Sequence, residues 1–212
     1  MPQPLRKKCH LTFKGLEDRP DHARVIGQIV AISGRIESRL GSLLAIMTGG
    51  LTHVTIPMFL AVRSADAQRS MLQAAAQHAL GPDDLERFTA IMDDWRGRYG
   101  ERNKIVHNIW GHSDDHPKLA IRIAAEDFAE IWKTSAFLTN PEVAERAAIT
   151  LRDLWKSCEG WTVKDLEDVK TRLEGYETRI SRLWADLYDR QFPRVAPTMT
   201  GQASRLDRGS GE

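Results

Sequence analysis

The segment from Asp21 to Met47 constrains the fold of this chain more than any other feature of its sequence. Its apolar residues recur at spacings of three and four, the period of a helix that buries one face, and Gly49 and Gly50 follow the last of them. These apolar residues are Val25, Ile26, Ile29, Val30, Ile36, Leu40, Leu43, Leu44 and Met47. A long helix with a continuous apolar face indicates a helical core, so we expect an all-α fold.

Three more helical regions show the same period. The first covers 57–80 with a break in its middle, and Gly81 and Pro82 follow it. The second covers 82–110 and begins with a proline and two aspartates, which suit the first turn of a helix. The third covers 162–190 and opens with a variant capping box, in which aspartate replaces the usual glutamate. The pattern therefore predicts an antiparallel helical bundle.

The segment 117–160 is predicted to be a small and less regular insert in this bundle. Leu119, Ile121 and Ile123 alternate with alanine and arginine, which indicates one short strand without an evident partner. A helix is predicted from Asn140, followed by a proline that suits a first turn, to a point before Gly160.

One domain, 21–192, accounts for most of the chain. Residues 1–20 contain three prolines and little periodicity, which favours an extended lead-in, and 193–212 have the composition of a flexible tail. A chain of 212 residues can bury a core without disulfides or structural metals. Its two cysteines, Cys9 and Cys158, exclude a disulfide framework, and the absence of a CxxC pair argues against a thiolate zinc site.

Charge and hydropathy narrow the possible environments and partners. Thirty lysines and arginines oppose 29 aspartates and glutamates, so a nucleic-acid-binding surface requires a local concentration of positive charge. No run approaches the ~18 apolar residues of a membrane helix. The N-terminus has basic residues but no apolar core typical of a secretory signal. We therefore expect a cytoplasmic protein that does not contact membranes.

Two charged residues lie on faces that are otherwise apolar. Arg102 falls within the apolar arc of the predicted helix 82–110, and Glu37 falls within the apolar arc of the helix that begins near Asp21. A guanidinium cannot lose its proton, so its burial is costly unless a partner is present. We therefore expect Glu37 and Arg102 to pair across the two helices, either as a structural ion pair or as part of a site.

The segment from Arg102 to His107 resembles the motif of the HEPN ribonuclease families. Asn103 directly follows the arginine, and His107 comes five positions after Arg102, late in a long predicted helix. These families are helical bundles found in bacterial toxins, abortive-infection proteins and other antiviral systems. The resemblance covers about residues 21–112 and 162–190. It departs from many relatives at Asn108, where they have glycine.

The resemblance implies a metal-independent endoribonuclease in which the ribose 2′-hydroxyl attacks the adjacent phosphorus. His107 would act as general acid or base, and Arg102 would hold the scissile phosphate. Asn103 would either orient His107 or donate to a phosphate oxygen, and Glu37 would support Arg102. The resemblance also implies a homodimer through the motif helix, no cofactor, and RNA as the substrate.

Residues around the motif are candidates for RNA binding. Arg96, Arg98 and Lys104, together with Arg102, outnumber Glu101 and predict a basic strip. Tyr99 and Trp110 would stack on bases, although an aromatic core or dimer contact is an alternative for both. A flexible zinc site is a minor alternative, on three histidines and two aspartates in or after this segment: His107, His112, His116, Asp114 and Asp115. Their spacing is not that of metal ligands on a helix.

Two functions follow from the sequence. The first is an endoribonuclease that acts as a bacterial defence effector or toxin, with an antitoxin or companion defence protein as a possible partner. The second is a catalytically silent HEPN-like subunit that dimerises and binds RNA or regulates a defence complex. The intact Arg102, Asn103 and His107 favour the first.

Overall fold

Helices account for most of the computed structural model, which describes residues 2–5, 12–13, 15–135, 138 and 144–192. Within these residues the helices are α1 (Pro20–Thr48), α2 (Thr52–Ala61), α3 (Ala65–Ala79), α4 (Pro82–Val106), α5 (Ala125–Ser135), α6 (Ala144–Trp155) and α7 (Val163–Gln191). The strands are β1 (Gln3–Pro4), β2 (Ile109–His112), β3 (Ala120–Ile123) and β4 (Glu159–Trp161). The fold is mainly helical, as the sequence predicted, with one small antiparallel sheet.

The ends of the long helices follow the signals read from the sequence. Gly49, directly after α1, has a left-handed backbone with a φ of 63°, and its N–H bonds the carbonyl groups of Ala45 and Ile46. Before α7, the Thr162 side chain accepts from the Asp165 N–H, and the Asp165 carboxylate accepts from the Thr162 N–H. The predicted stop of the first helix and the predicted capping box are therefore confirmed.

The bundle packs α4 antiparallel to α7, whereas α1 runs parallel to α7. Ion pairs join residues near opposite ends of α4 to opposite ends of α7 in reversed order, as in Arg87–Asp186 and Arg172–Glu101. Ion pairs between α1 and α7 keep the same order in both helices, as in Arg24–Glu167 and Arg35–Glu177. The main core between α1, α3, α4 and α7 includes Val25, Ile29, Leu40, Leu72, Phe88, Met92, Ile105, Leu173 and Tyr176.

The sheet has the order β1-β4-β3-β2, and every neighbouring pair is antiparallel. The strand predicted around Ile121 therefore has two partners. Ile121 and Ile123 are fully buried in a second apolar cluster under α5, where the rings of Phe13 and Phe128 lie 5.1 Å apart. Gly111 allows the chain before α1 to approach, because a Cβ atom there would lie 2.4 Å from the carbonyl oxygen of Thr12.

The prediction that the motif helix continues to about Trp110 is wrong. Helix α4 ends at Val106, and Ile109 to His112 form β2, which pairs with β3 from Ile123 to Ala120. Pairing with β3 outweighs the helical period of these residues, because burial in the sheet is a tertiary effect that local spacing does not report.

The segment predicted to be a less regular insert is more regular than expected. It contains β3, two helices and most of β4, and helix α5 was not anticipated at all. Helix α6 begins at Ala144, whereas the predicted start at Asn140 lies outside the described residues, as does the predicted tail 193–212. Among the described residues, no helix combines the length and hydropathy that a membrane-spanning segment requires.

A buried histidine joins the bundle to the sheet. His22, near the start of α1, is 4% exposed, and its Nε2 lies 3.0 Å from the carbonyl oxygen of Trp161 in β4. A carbonyl oxygen can only accept, so Nε2 carries the proton and donates it. Burial lowers the pKa of His22 below its ordinary value of 6.5, although the bond to Trp161 acts in the opposite direction.

This pKa shift predicts that acid destabilises the fold through His22. The unfolded chain binds a proton at His22 more readily than the folded chain does, so His22 contributes stability above about pH 6.5. That contribution declines as the pH falls through the lower pKa of the folded state. We expect the free energy of unfolding of the wild type to fall more steeply between pH 7 and pH 5 than that of His22→Gln. Equal slopes in urea titrations of the two proteins would contradict this expectation.

Candidate functional site

Helices α1 and α4 bring the two isolated charges of the sequence together. The Nη2 atom of Arg102 lies 3.4 Å from Oε1 of Glu37, and the side chains are 19% and 27% exposed, respectively. The expected pair is therefore present, but it lies at the edge of the core and not deep inside it. Such a pair lies between an exposed ion pair and a fully buried one in its effect on stability.

The guanidinium of Arg102 also connects the other residues of the motif. Its Nη1 donates to Oδ1 of Asn103 over 2.9 Å and lies 3.3 Å from Nε2 of His107. Its carbon lies 5.6 Å from the centre of the Tyr99 ring, a cation–π distance. A guanidinium has no acceptor atom, so Nε2 of His107 presents its lone pair to Arg102 and a neutral ring carries its proton on Nδ1.

His107 lies immediately after the last residue of α4 and is exposed to solvent. Its backbone N–H donates to the carbonyl oxygen of Asn103 over 3.1 Å, which completes the last helical turn. The amide oxygen of Asn103 bonds Arg102, so Asn103 acts on the cluster through the arginine. Glu37, Arg102, Asn103 and His107 therefore form one contiguous polar group that opens to solvent at His107.

A small cavity lies behind this group, between α1, α4 and α7. Its volume of about 20 Å³ corresponds to roughly one water molecule. Glu37 and Arg102 form part of its wall, and the other lining residues are Ser33, Ile36, Trp95, Arg98, Tyr99, Leu173 and Tyr176. Burial raises the pKa of the Tyr176 hydroxyl, which keeps it protonated. The cavity is too small for a molecule larger than water, so a larger ligand of the cluster would contact its exposed side.

Most of the predicted basic strip is paired with carboxylates. Arg98 lies 3.1 Å from Asp94 and 2.9 Å from Glu101, and Arg96 lies 3.7 Å from Asp66 on the surface. Lys104 is exposed, and no carboxylate of the described residues forms an ion pair with it. The unpaired positive charge near the motif therefore comes mainly from Lys104, because Glu37 already pairs with Arg102.

The pairing around Arg98 also fixes its charge state. Burial alone would raise the pKa of Asp94, but hydrogen bonds from Arg98 and Arg179 outweigh that effect and lower it. Burial alone would lower the pKa of Arg98, and hydrogen bonds to Asp94 and Glu101 raise it instead. Both groups remain charged at neutral pH, and Asp94 joins α4 to α7 through its pair with Arg179.

The two aromatic candidates occupy different environments. Tyr99 is half-buried beside Trp95, with ring centres 5.3 Å apart, and contacts Arg102. Trp110 is half-buried in β2, where its ring meets Trp161 edge-on and its Nε1 donates to the Ile105 carbonyl over 2.8 Å. Trp110 thus has a structural contact on both its ring and its N–H group, which is the alternative that the sequence left open.

The residues that suggested a zinc site are not assembled around a common point. His112 lies in β2, and its Nε2 is 3.3 Å from Asp18, outside the motif. Among the described residues, no group of three or more His, Cys, Asp or Glu side chains is placed to hold a metal ion.

Sequence reasoning did not single out Arg122 in β3. This arginine is 8% exposed, and its guanidinium extends from the sheet to the Lys104 carbonyl in the last turn of α4. The available signal is a charged residue in an otherwise apolar strand, Ala120–Ile123, which is uncommon for a strand buried at every position.

No family model, curated protein or solved structure matches this chain. The chemistry and placement of its own side chains are therefore the evidence for what the site does.

The Glu37–Arg102 pair predicts a measurable loss of stability when it is broken. Glu37→Gln keeps the shape of the side chain but leaves a partly buried guanidinium without its carboxylate. We expect the free energy of unfolding to fall by about 1–2 kcal/mol, between the values for exposed and buried pairs. Asp186→Asn, which breaks the interhelical pair with Arg87, whose side chains are 53% and 45% exposed, respectively, is the control and should cost under about 1 kcal/mol. Equal small losses for both variants would show that the Glu37 pair contributes no more than a surface contact.

Proposed function

We propose that this protein is a HEPN-type endoribonuclease that cleaves RNA by transesterification, with the 2′-hydroxyl as the nucleophile. The observation that carries the proposal is the contact between Nη1 of Arg102 and Nε2 of His107, in a cluster with Asn103 and Glu37. This arrangement combines an imidazole, which can take up and release a proton, with the fixed positive charge of Arg102, and it opens to solvent at His107.

The orientation of His107 supports a role as general base. Its Nε2 lone pair is directed at the guanidinium of Arg102, which also attracts phosphate oxygens. A phosphodiester that binds Arg102 would bring its neighbouring 2′-hydroxyl within reach of Nε2. The base would then remove the 2′-hydroxyl proton as the oxygen attacks phosphorus, forming a 2′,3′-cyclic phosphate and releasing the 5′-oxygen. Arg102 would stabilise the charge that develops on the phosphate oxygens.

Release of the 5′-oxygen requires a proton donor in addition to this base. One chain contributes a single His107, so a second copy packed along α4 would supply the second imidazole. Isologous dimers are the commonest assemblies, which supports this arrangement. Among the described residues, none outside the adjoining turns of α4 lies within 4 Å of where a Cβ atom would stand at Gly97 or Gly100, so a partner helix could approach α4 closely at both positions.

Surplus apolar surface on the motif helix is not an argument for this dimer. Ile105 is 1% exposed in the main core, whereas Ile109 and Trp110 belong to β2 and pack against the two apolar clusters. The fold covers all three residues, because the main core buries Ile105 and the sheet absorbs the other two. The proposed dimer depends instead on the need for two proton-transfer groups.

RNA cleavage without a metal ion is the first test. Purified protein should cleave single-stranded RNA in EDTA and leave 2′,3′-cyclic phosphate ends, detectable by mass spectrometry. His107→Ala and Arg102→Ala should each lower the rate by about 10²–10⁴. His116→Ala, in the turn between β2 and β3, is the matched control and should retain the wild-type rate. Activity that is lost in EDTA and restored by a divalent ion would contradict the mechanism.

The shared site is the second test. Light scattering should give the mass of a dimer, and an excess of His107→Ala should suppress wild-type activity, because a mixed dimer holds only one imidazole. A monomer with full activity would contradict the composite site. A dimer that binds RNA but does not cleave it would instead favour the silent regulatory subunit.

A further inference from the structure

Three carbonyl groups at the end of α4 are bonded by groups that lie beyond the helix. The Asn103 carbonyl accepts from the His107 N–H, and the Ile105 carbonyl accepts from Nε1 of Trp110 over 2.8 Å. The Lys104 carbonyl accepts from Nδ2 of Asn108 over 2.6 Å. The last four carbonyls of a helix have no partner within it, so these bonds close a terminus that would otherwise need water.

Arg122 is the fourth group at this terminus. Its Nη1 lies 3.5 Å from the Lys104 carbonyl, at the limit of a hydrogen bond, and its side chain is 9% exposed. Glu159 of β4 holds the guanidinium in place, with Oε2 lying 2.8 Å from Nη2 and 3.1 Å from Nε. The same carboxylate oxygen accepts from Nε1 of Trp161 over 3.2 Å. A buried positive charge therefore lies against the negative end of the helix dipole, where it is most favourable.

His107 lies between the groups that this network fixes. It follows Val106 directly, and the next residue, Asn108, is bonded back to Lys104. The following residue, Ile109, is paired with Ile123 in the sheet. The backbone on both sides of His107 is thus restrained, and the direction of the imidazole depends on where the helix is terminated.

We propose that Arg122 and Asn108 are positioning residues for His107 and that the sheet, through Glu159, aims the imidazole at Arg102. This inference rests on the proposed function for its consequence in catalysis. It assigns a role to the segment that the HEPN resemblance leaves without a counterpart. It also explains the departure from the family pattern at Asn108, because a glycine there has no side chain to bond Lys104.

The first measurement does not depend on RNA cleavage. NMR spectra of the full chain should report the ring signals and tautomer of His107, assigned by their loss in His107→Ala. We expect Asn108→Ala and Arg122→Met to shift or broaden these signals while the methyl signals of the main core remain in place. Arg122→Lys, which keeps the charge, should restore part of the wild-type position. If Arg122→Met does not fold, Glu159→Gln tests the same contact, because Glu159 holds the guanidinium of Arg122.

Matched controls lie elsewhere on α4. Thr89→Ala removes a bond from a side chain to a helix carbonyl, as Asn108→Ala does, and Arg87→Met removes an interhelical ion pair at the opposite end of the helix. Neither should alter the His107 signals. Ring signals that are unchanged in folded Asn108→Ala and in Arg122→Met or Glu159→Gln would overturn the proposal.

The second measurement uses the cleavage assay. Misplacement of a catalytic group by about 1 Å lowers a rate by up to about 10²-fold, so kcat should fall about 10-fold or more while KM changes little. If Thr89→Ala lowers kcat and the melting temperature as much as Asn108→Ala does, the role of Asn108 is merely structural and the inference is overturned. If wild-type protein does not cleave RNA, the proposed function fails, and the NMR result still decides the positioning role.

Discussion

The end of α4 at Val106 is the constraint on which the rest of the structure depends. Ile105, the residue before it, is buried in the main core, and Ile109 packs against the second apolar cluster under the sheet. The three residues between them must cross from one core to the other. A helix that continued to Trp110 would pull β2 away from β3, so helix and sheet compete for the same residues and the sheet prevails.

This crossing exposes the polar group between the two cores. His107 emerges to solvent where the chain leaves the helix. Arg102, about one turn earlier in α4, and its partner Glu37 in α1 remain at the edge of the main core. The arginine is therefore restrained by its partners and the histidine by the backbone around it. A site of this kind is held by its scaffold and not by a mobile loop, which favours a fixed geometry for a reacting group.

Charge pairing explains how a nearly neutral chain holds α4 in place. Asp94 and Glu101 each bind arginines of both α4 and α7, so a ladder of alternating charge connects the two helices; its members are Asp94, Arg98, Glu101, Arg172 and Arg179. Exposed pairs contribute little to stability one at a time, about 0–1 kcal/mol each. Together they specify how α4 is aligned with α7, and they also neutralise most of the strip that the sequence presents as basic.

The sequence by itself determined the long helices, their caps and the two charges on apolar faces. The spacing of apolar residues, Gly49 and the Thr162–Asp165 capping box are local signals. The isolation of Glu37 and Arg102 on apolar helical faces likewise indicates a pair. Only the tertiary structure decided that α4 ends at Val106, that Trp110 bonds Ile105 and that Arg122 reaches the helix end. These features depend on strand pairing and on contacts between residues far apart in the chain, and the helical period is unchanged whether or not those partners are present.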